Sequence, residues 1–114
     1  MIKLVSLDIN EDDISNVSSV IKSQQLVQGE YVTKIENWAK GYFEVNHAFC
    51  MSNGTVTMHA FLLSMGVKPG DEIICPSFSY VATSNVIELV GATPVFVDIQ
   101  REDFNINYEN IVKR

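Results

Sequence analysis

The stretch Thr55–Met65 is apolar almost all round, with Val56, Met58, Ala60, Phe61, Leu62 and Leu63 leaving no broad polar face. A helix of that kind has to be covered on more than one side, so it demands a layered fold. Its flanks narrow the choice. His47–Met51 reads as a short buried strand before it. Glu72–Cys75 reads as a second strand, entered through the turn Lys68-Pro69-Gly70-Asp71 and stopped by Pro76. A helix over about 80–90 follows, and Thr93–Ile99 makes a third strand. Gly66 and Gly91 supply the two helix stops. Strand, helix, strand, helix, strand at this spacing predicts an α/β fold, with three strands in one mostly parallel sheet and crossover helices on both faces.

Ahead of this unit, Asn10 precedes Glu11-Asp12-Asp13, a cap and three carboxylates suited to the positive end of a helix. Ile14, Val17 and Ile21 follow at helical spacing. Gln28-Gly29 punctuates the chain, and a second helix is expected over about 32–43, with Ile35, Trp38, Ala39 and Tyr42 forming a stripe suited to core packing. Asn107 caps a further helix, inside which the sequence ends. No repeat, low-complexity tract or linker marks an internal boundary. Residues 1–114 are therefore expected to comprise an N-terminal segment and an incomplete large domain.

Bulk properties exclude several classes. The net charge is −6, from 14 acidic and 8 basic residues, with no basic stripe, which argues against a nucleic-acid partner. No apolar run reaches the length of a membrane span, and the N-terminus turns acidic at Asp8, too soon for a secretory signal. The two cysteines, Cys50 and Cys75, stand in apolar, strand-like segments and are expected to be buried, reduced thiols, consistent with a cytoplasmic address. No metal site is expected: on a strand, His47 and Cys50 would point to opposite faces, and His59 lies in mid-helix.

Two stretches can carry chemistry. Ser52-Asn53-Gly54-Thr55 lies between a strand and the start of the apolar helix, where unpaired amides meet the positive end of the helix dipole. Gly54 lets the backbone approach an anion closely, and the Thr55 hydroxyl can add a hydrogen bond. The same residue types also cap helices with nothing bound. No Lys follows Gly54 in a Walker pattern, so a nucleoside triphosphate loop is disfavoured. The second stretch, Pro76-Ser77-Phe78-Ser79-Tyr80-Val81-Ala82-Thr83, follows a strand at the end where open parallel sheets bind ligands. An aromatic ring there can stack on a flat ligand, or simply pack in its loop.

Taken together, Gly29–Glu36, Ser52–Thr55, Met58-His59, Gly66–Ile74, Pro76–Thr83 and Gly91–Asp98 resemble the DegT/DnrJ/StrS family, in order and at the right separation over nearly the whole chain. These are pyridoxal-phosphate aminotransferases that aminate keto sugars carried on nucleotides. The resemblance implies the N-terminal part of the large domain of a fold-type-I pyridoxal-phosphate-dependent transferase. It implies pyridoxal 5'-phosphate as cofactor, a nucleotide sugar and glutamate as substrates, and a homodimer. Gly54, Thr55 and Val56 match the family's phosphate cup. Tyr80 matches the aromatic that stacks on the pyridine ring, where Phe or Trp is more usual. Gly29 and Tyr31 fall where the N-terminal segment borders the sugar site. Thr57 and Phe61 depart from small apolar residues, which bears on packing. The Schiff-base lysine, the Asp at the pyridine nitrogen and a Ser or His near the ring match nothing in this chain, so it carries no catalytic residue and is expected to be inactive alone. Two alternatives stay open: a non-catalytic module that holds no cofactor, and a cofactor-dependent sugar dehydratase.

Overall fold

The computed structural model describes residues 5–113, which fall into two compact units, one ending at Cys50 and the other beginning at Met51. In the first unit, helix α1 (Glu11–Ser23) starts on a capping box. Asn10 Oδ1 accepts from the amides of Asp12 and Asp13 at 2.9 and 3.1 Å, and Asp13 Oδ2 accepts from the Asn10 amide at 3.0 Å. Gln24, at φ 61°, closes the helix by donating its N–H to the Ile21 carbonyl. Helix α2 (Glu30–Tyr42) begins two residues earlier than its apolar spacing suggests, because Gly29 serves as N-cap.

The stripe on α2 does not form a core: Trp38 and Tyr42 are 59% and 68% exposed, and their rings stack on each other at 5.0 Å. Helical spacing reports which face is apolar, and here no described sheet in that unit underlies it. The expected strand at His47–Met51 is also absent. A strand exists only through its ladder, and no described segment pairs with this one. Its one side-chain tie runs from the Cys50 amide to Glu36 Oε1 at 2.9 Å. Cys50 is consequently exposed, contrary to the expectation of burial.

The second unit follows the expected order with one strand fewer in its sheet. Helix α3 (Gly54–Ser64), strand β1 (Glu72–Pro76), helix α4 (Ala82–Leu89), strand β2 (Thr93–Val97) and the short helix α5 (Tyr108–Val112) succeed one another. The strands pair in parallel, Glu72 opposite Thr93 through Pro76 opposite Val97. Helix α4 is the crossover between them and packs against both strands and against α3. The core is small: Cys75, Ile87, Val90 and Ala92, with Leu62, Val67 and Ile73 packed on it. Beyond β2 the extended path continues only as an isolated antiparallel bridge between Ile99 and Ile106. Helix α3 buries none of its side chains fully, and Phe61 and Leu63 stand 60% and 56% exposed, so the all-round cover that its composition demands is not supplied by the described residues. Among those residues no helix is long and apolar enough to cross a membrane.

Candidate functional site

The first turn of α3 is built by Asn53. Its backbone is extended (φ −169°, ψ 169°), and its side-chain oxygen accepts from the Val56 amide at 3.0 Å. The Asn53 carbonyl accepts from the Thr57 amide at 3.2 Å and from the Thr57 hydroxyl at 3.1 Å. Of the three amides assigned to a phosphate cup, Val56 therefore already has an acceptor. Among the described residues nothing accepts from the Gly54 or Thr55 amides. Two donors at the positive end of a helix remain for an anion. The space beside them is open, since a Cβ placed on Gly54 would meet no atom within 4 Å. Asn53 is the residue whose particular task was not read from the sequence; its place three residues ahead of Val56 is the signal that could have exposed it.

Tyr80 lies in the same unit, in the turn from β1 to α4, and is 78% exposed. The turn is fastened at its start by the Ser77 amide, which donates to the Val97 carbonyl of β2 at 2.9 Å. Further on, the Ser79 and Thr83 hydroxyls lie 2.9 Å apart and share a hydrogen bond, a pairing that sequence reasoning did not single out. Phe78 faces Phe104 with ring centroids 6.0 Å apart, which joins the turn after β1 to the loop after β2.

Gly29 and Tyr31 belong to the other unit. Both line a cavity of about 460 Å³ between the end of α1 and the start of α2, together with Leu26, Val27, Glu30 and Val32 among others. The Lys34 ammonium lies 4.8 Å from the centre of the Tyr31 ring and 3.2 Å from Glu30. The cavity thus offers an aromatic wall and a carboxylate beside the Gly29 backbone at the start of α2.

The match of the chain to known proteins covers the described helices and both strands. The model of the DegT/DnrJ/EryC1/StrS aminotransferase family matches residues 7–114. The chain belongs to that family. It is 40% identical over 95 residues to a UDP-4-amino-4-deoxy-L-arabinose–oxoglutarate aminotransferase of Shewanella sediminis, covering 83% of this chain and 24% of the relative. It is 39% identical over 87 residues to a GDP-perosamine synthase of Escherichia coli O157:H7, covering 76% and 24% of the two chains. Among solved structures, an E. coli GDP-4-keto-6-deoxy-D-mannose-3-dehydratase with bound hydrated PLP superposes with a TM-score of 0.86 at 27% identity, covering 96% of this chain and 30% of that one. This family member therefore spans about a quarter of the length of the curated relatives it matches.

Proposed function

We propose that this chain forms the phosphate seat and ring platform of a pyridoxal 5'-phosphate-dependent aminotransferase that acts on a nucleotide-linked ketosugar. The observation that carries the reading is the pair of unengaged amides, Gly54 and Thr55, at the N-terminus of α3 in a chain of this family. An anion there gains two charge-assisted hydrogen bonds and the helix dipole without displacing a protein contact. Val56 completes the cup sterically while its amide stays with Asn53. Tyr80, exposed and following a parallel strand, supplies a flat face for the pyridine ring. Gly29 and Tyr31 border the sugar, in keeping with the cavity they share.

When bound, the cofactor supplies an electron sink that labilises bonds at the carbon joined to its nitrogen. The residues of this chain hold and orient it. The chain holds no lysine in a matching motif, so the role proposed for it is to bind and orient the cofactor. Glutamate as amino donor is supported by the name of the Shewanella relative, which pairs the aminotransferase with oxoglutarate, the keto acid that corresponds to glutamate. A homodimer in the cytoplasm belongs to the same reading. The likeness to the E. coli dehydratase favours a second reading, in which the same seat serves a dehydration of the sugar.

The test is a titration of the cofactor-free protein, expressed from its own gene, with pyridoxamine 5'-phosphate, which holds by non-covalent contacts alone. Thr55→Val should weaken binding by about 1.5–3 kcal/mol, the worth of a hydrogen bond to a charged group. Unchanged affinity would remove the Thr55 hydroxyl from the seat and leave only its amide there. An amino-sugar nucleotide as product, with oxoglutarate released from glutamate, supports amination, and a sugar product that has lost water and gained no nitrogen selects the dehydratase.

A further inference from the structure

The turn that carries Tyr80 is held in an uncommon way. Helix α4 starts at Ala82, but the residue in the cap position is Val81, which has helical dihedrals (φ −53°, ψ −27°) and no side chain able to cap. A helix start of that kind gives the residues just before it no side-chain cap, and the ties of Ser77 and Phe78 lie at the other end of the turn. Here the span is the Ser79–Thr83 hydroxyl pair, 2.9 Å apart and straddling Tyr80, supported by the Thr83 amide, which donates to the Tyr80 carbonyl at 2.9 Å. The far end of the bridge is firm, because Ala82 and Val86 on either side of Thr83 are buried. Tyr80 itself is 78% exposed. Its own side chain therefore contributes little to fixing where its ring points.

We propose that Ser79 is a positioning residue for the ring platform: by bonding to Thr83 it locks the turn so that Tyr80 presents one face to a planar ligand. The inference rests on the reading of Tyr80 as the platform. Ser79 is a hydroxyl two bonds from its own backbone, too short to serve from a floppy turn, and its effect passes through Thr83 to Tyr80. The phosphate seat at Gly54 and Thr55 is on a different helix, so loss of the bridge disturbs the ring end of the ligand and spares the phosphate end.

The experiment uses the holoenzyme and its cofactor-free form. Ser79→Ala and Thr83→Val should each weaken pyridoxamine 5'-phosphate by about three- to tenfold, the range of one net hydrogen bond. Inhibition of that binding by inorganic phosphate should be unchanged. The circular-dichroism band of the bound cofactor should shrink, since that band reports the asymmetric setting of the ring. Ser79→Thr should restore both affinity and band, and the double variant should be no worse than either single one. If Ser79→Ala changes neither affinity nor band while Tyr80→Ala weakens binding, the positioning role is wrong and the platform stands. If Tyr80→Ala is also silent, the platform and the positioning role fall together. Equal loss of inorganic phosphate binding would show that the hydroxyl supports the fold at large, which overturns the proposal as well.

Discussion

Gly54→Pro separates the helix from the ligand it is proposed to hold. Gly54 is the first residue of α3, where a proline loses no intrahelical bond and has its φ already set for the helix. Asn53 before it is extended, the conformation that a following proline favours. The Asn53–Val56 and Asn53–Thr57 bonds do not involve the Gly54 amide, so the cap survives. The helix should thus keep its stability, or gain about 0.4–1 kcal/mol from a less flexible unfolded chain. The ligand loses one of its two free donors. A hydrogen bond to a charged group is worth about 1.5–3 kcal/mol, so affinity for pyridoxamine 5'-phosphate should fall about ten- to a hundredfold. Gly54→Ala is the control, since it keeps the donor while placing a Cβ where no atom lies within 4 Å. Spectroscopic titration of the cofactor-free protein gives the affinities, and a thermal melt of each variant reports the fold. If the proline variant binds as tightly as the alanine variant, the amide of Gly54 is not part of the seat and the reasoning fails.

Two further outcomes concern the scaffold. At Gly91 (φ 81°) an added Cβ would lie 2.8 Å from Pro69 Cγ, whereas at Gly66 (φ 75°) it would meet nothing within 4 Å. Gly66→Ala should therefore cost about 1–2 kcal/mol for the left-handed backbone alone, and Gly91→Ala about 1–3 kcal/mol more from the clash; equal losses in urea melts would discount the Pro69 contact. Burial pushes the Cys75 thiol above its ordinary value of 9.0, because the thiolate is poorly solvated in the core. The protonated thiol is the folded form, so its contribution is complete below the ordinary value and is lost as pH rises through the raised one. Native-state alkylation should modify Cys50 and spare Cys75, and Cys75→Ala should flatten the fall in stability at alkaline pH.

The elements that carry their own local signal were legible in the sequence. Asn10 and Asn107 cap where their side chains suggest, and Gly66 and Gly91 take the positive φ that ends a helix without strain. The parallel pairing of 72–76 with 93–97 follows from a crossover helix of the right length between two apolar runs. What depends on a distant partner was not legible. His47–Met51 has the composition of a strand, but a ladder needs a second backbone, and none of the described residues provides one. Trp38 and Tyr42 have the spacing of a core stripe, but spacing cannot name the layer that covers it. In the candidate site, the start of α3 at Gly54 was readable from the Asn-Gly-Thr run ahead of an apolar helix, although the strand expected before it is not formed. The engagement of Val56 by Asn53 was not, since Asn, Ser and Thr are interchangeable as caps and only coordinates show which oxygen meets which amide.

The cap on α3 also bears on how quickly a ligand can be caught. Asn53 holds the first turn closed before any anion arrives, with its side-chain oxygen on Val56 and its carbonyl on Thr57. The ordering entropy of that turn is spent during folding and is not charged against the encounter. Arrival at the proposed seat, the two remaining amides, then needs diffusion and the shedding of water, with that helical turn already wound. Differences between ligands that share a phosphate should accordingly appear in how long they stay, set by what the rest of the molecule touches, and hardly in how fast they come.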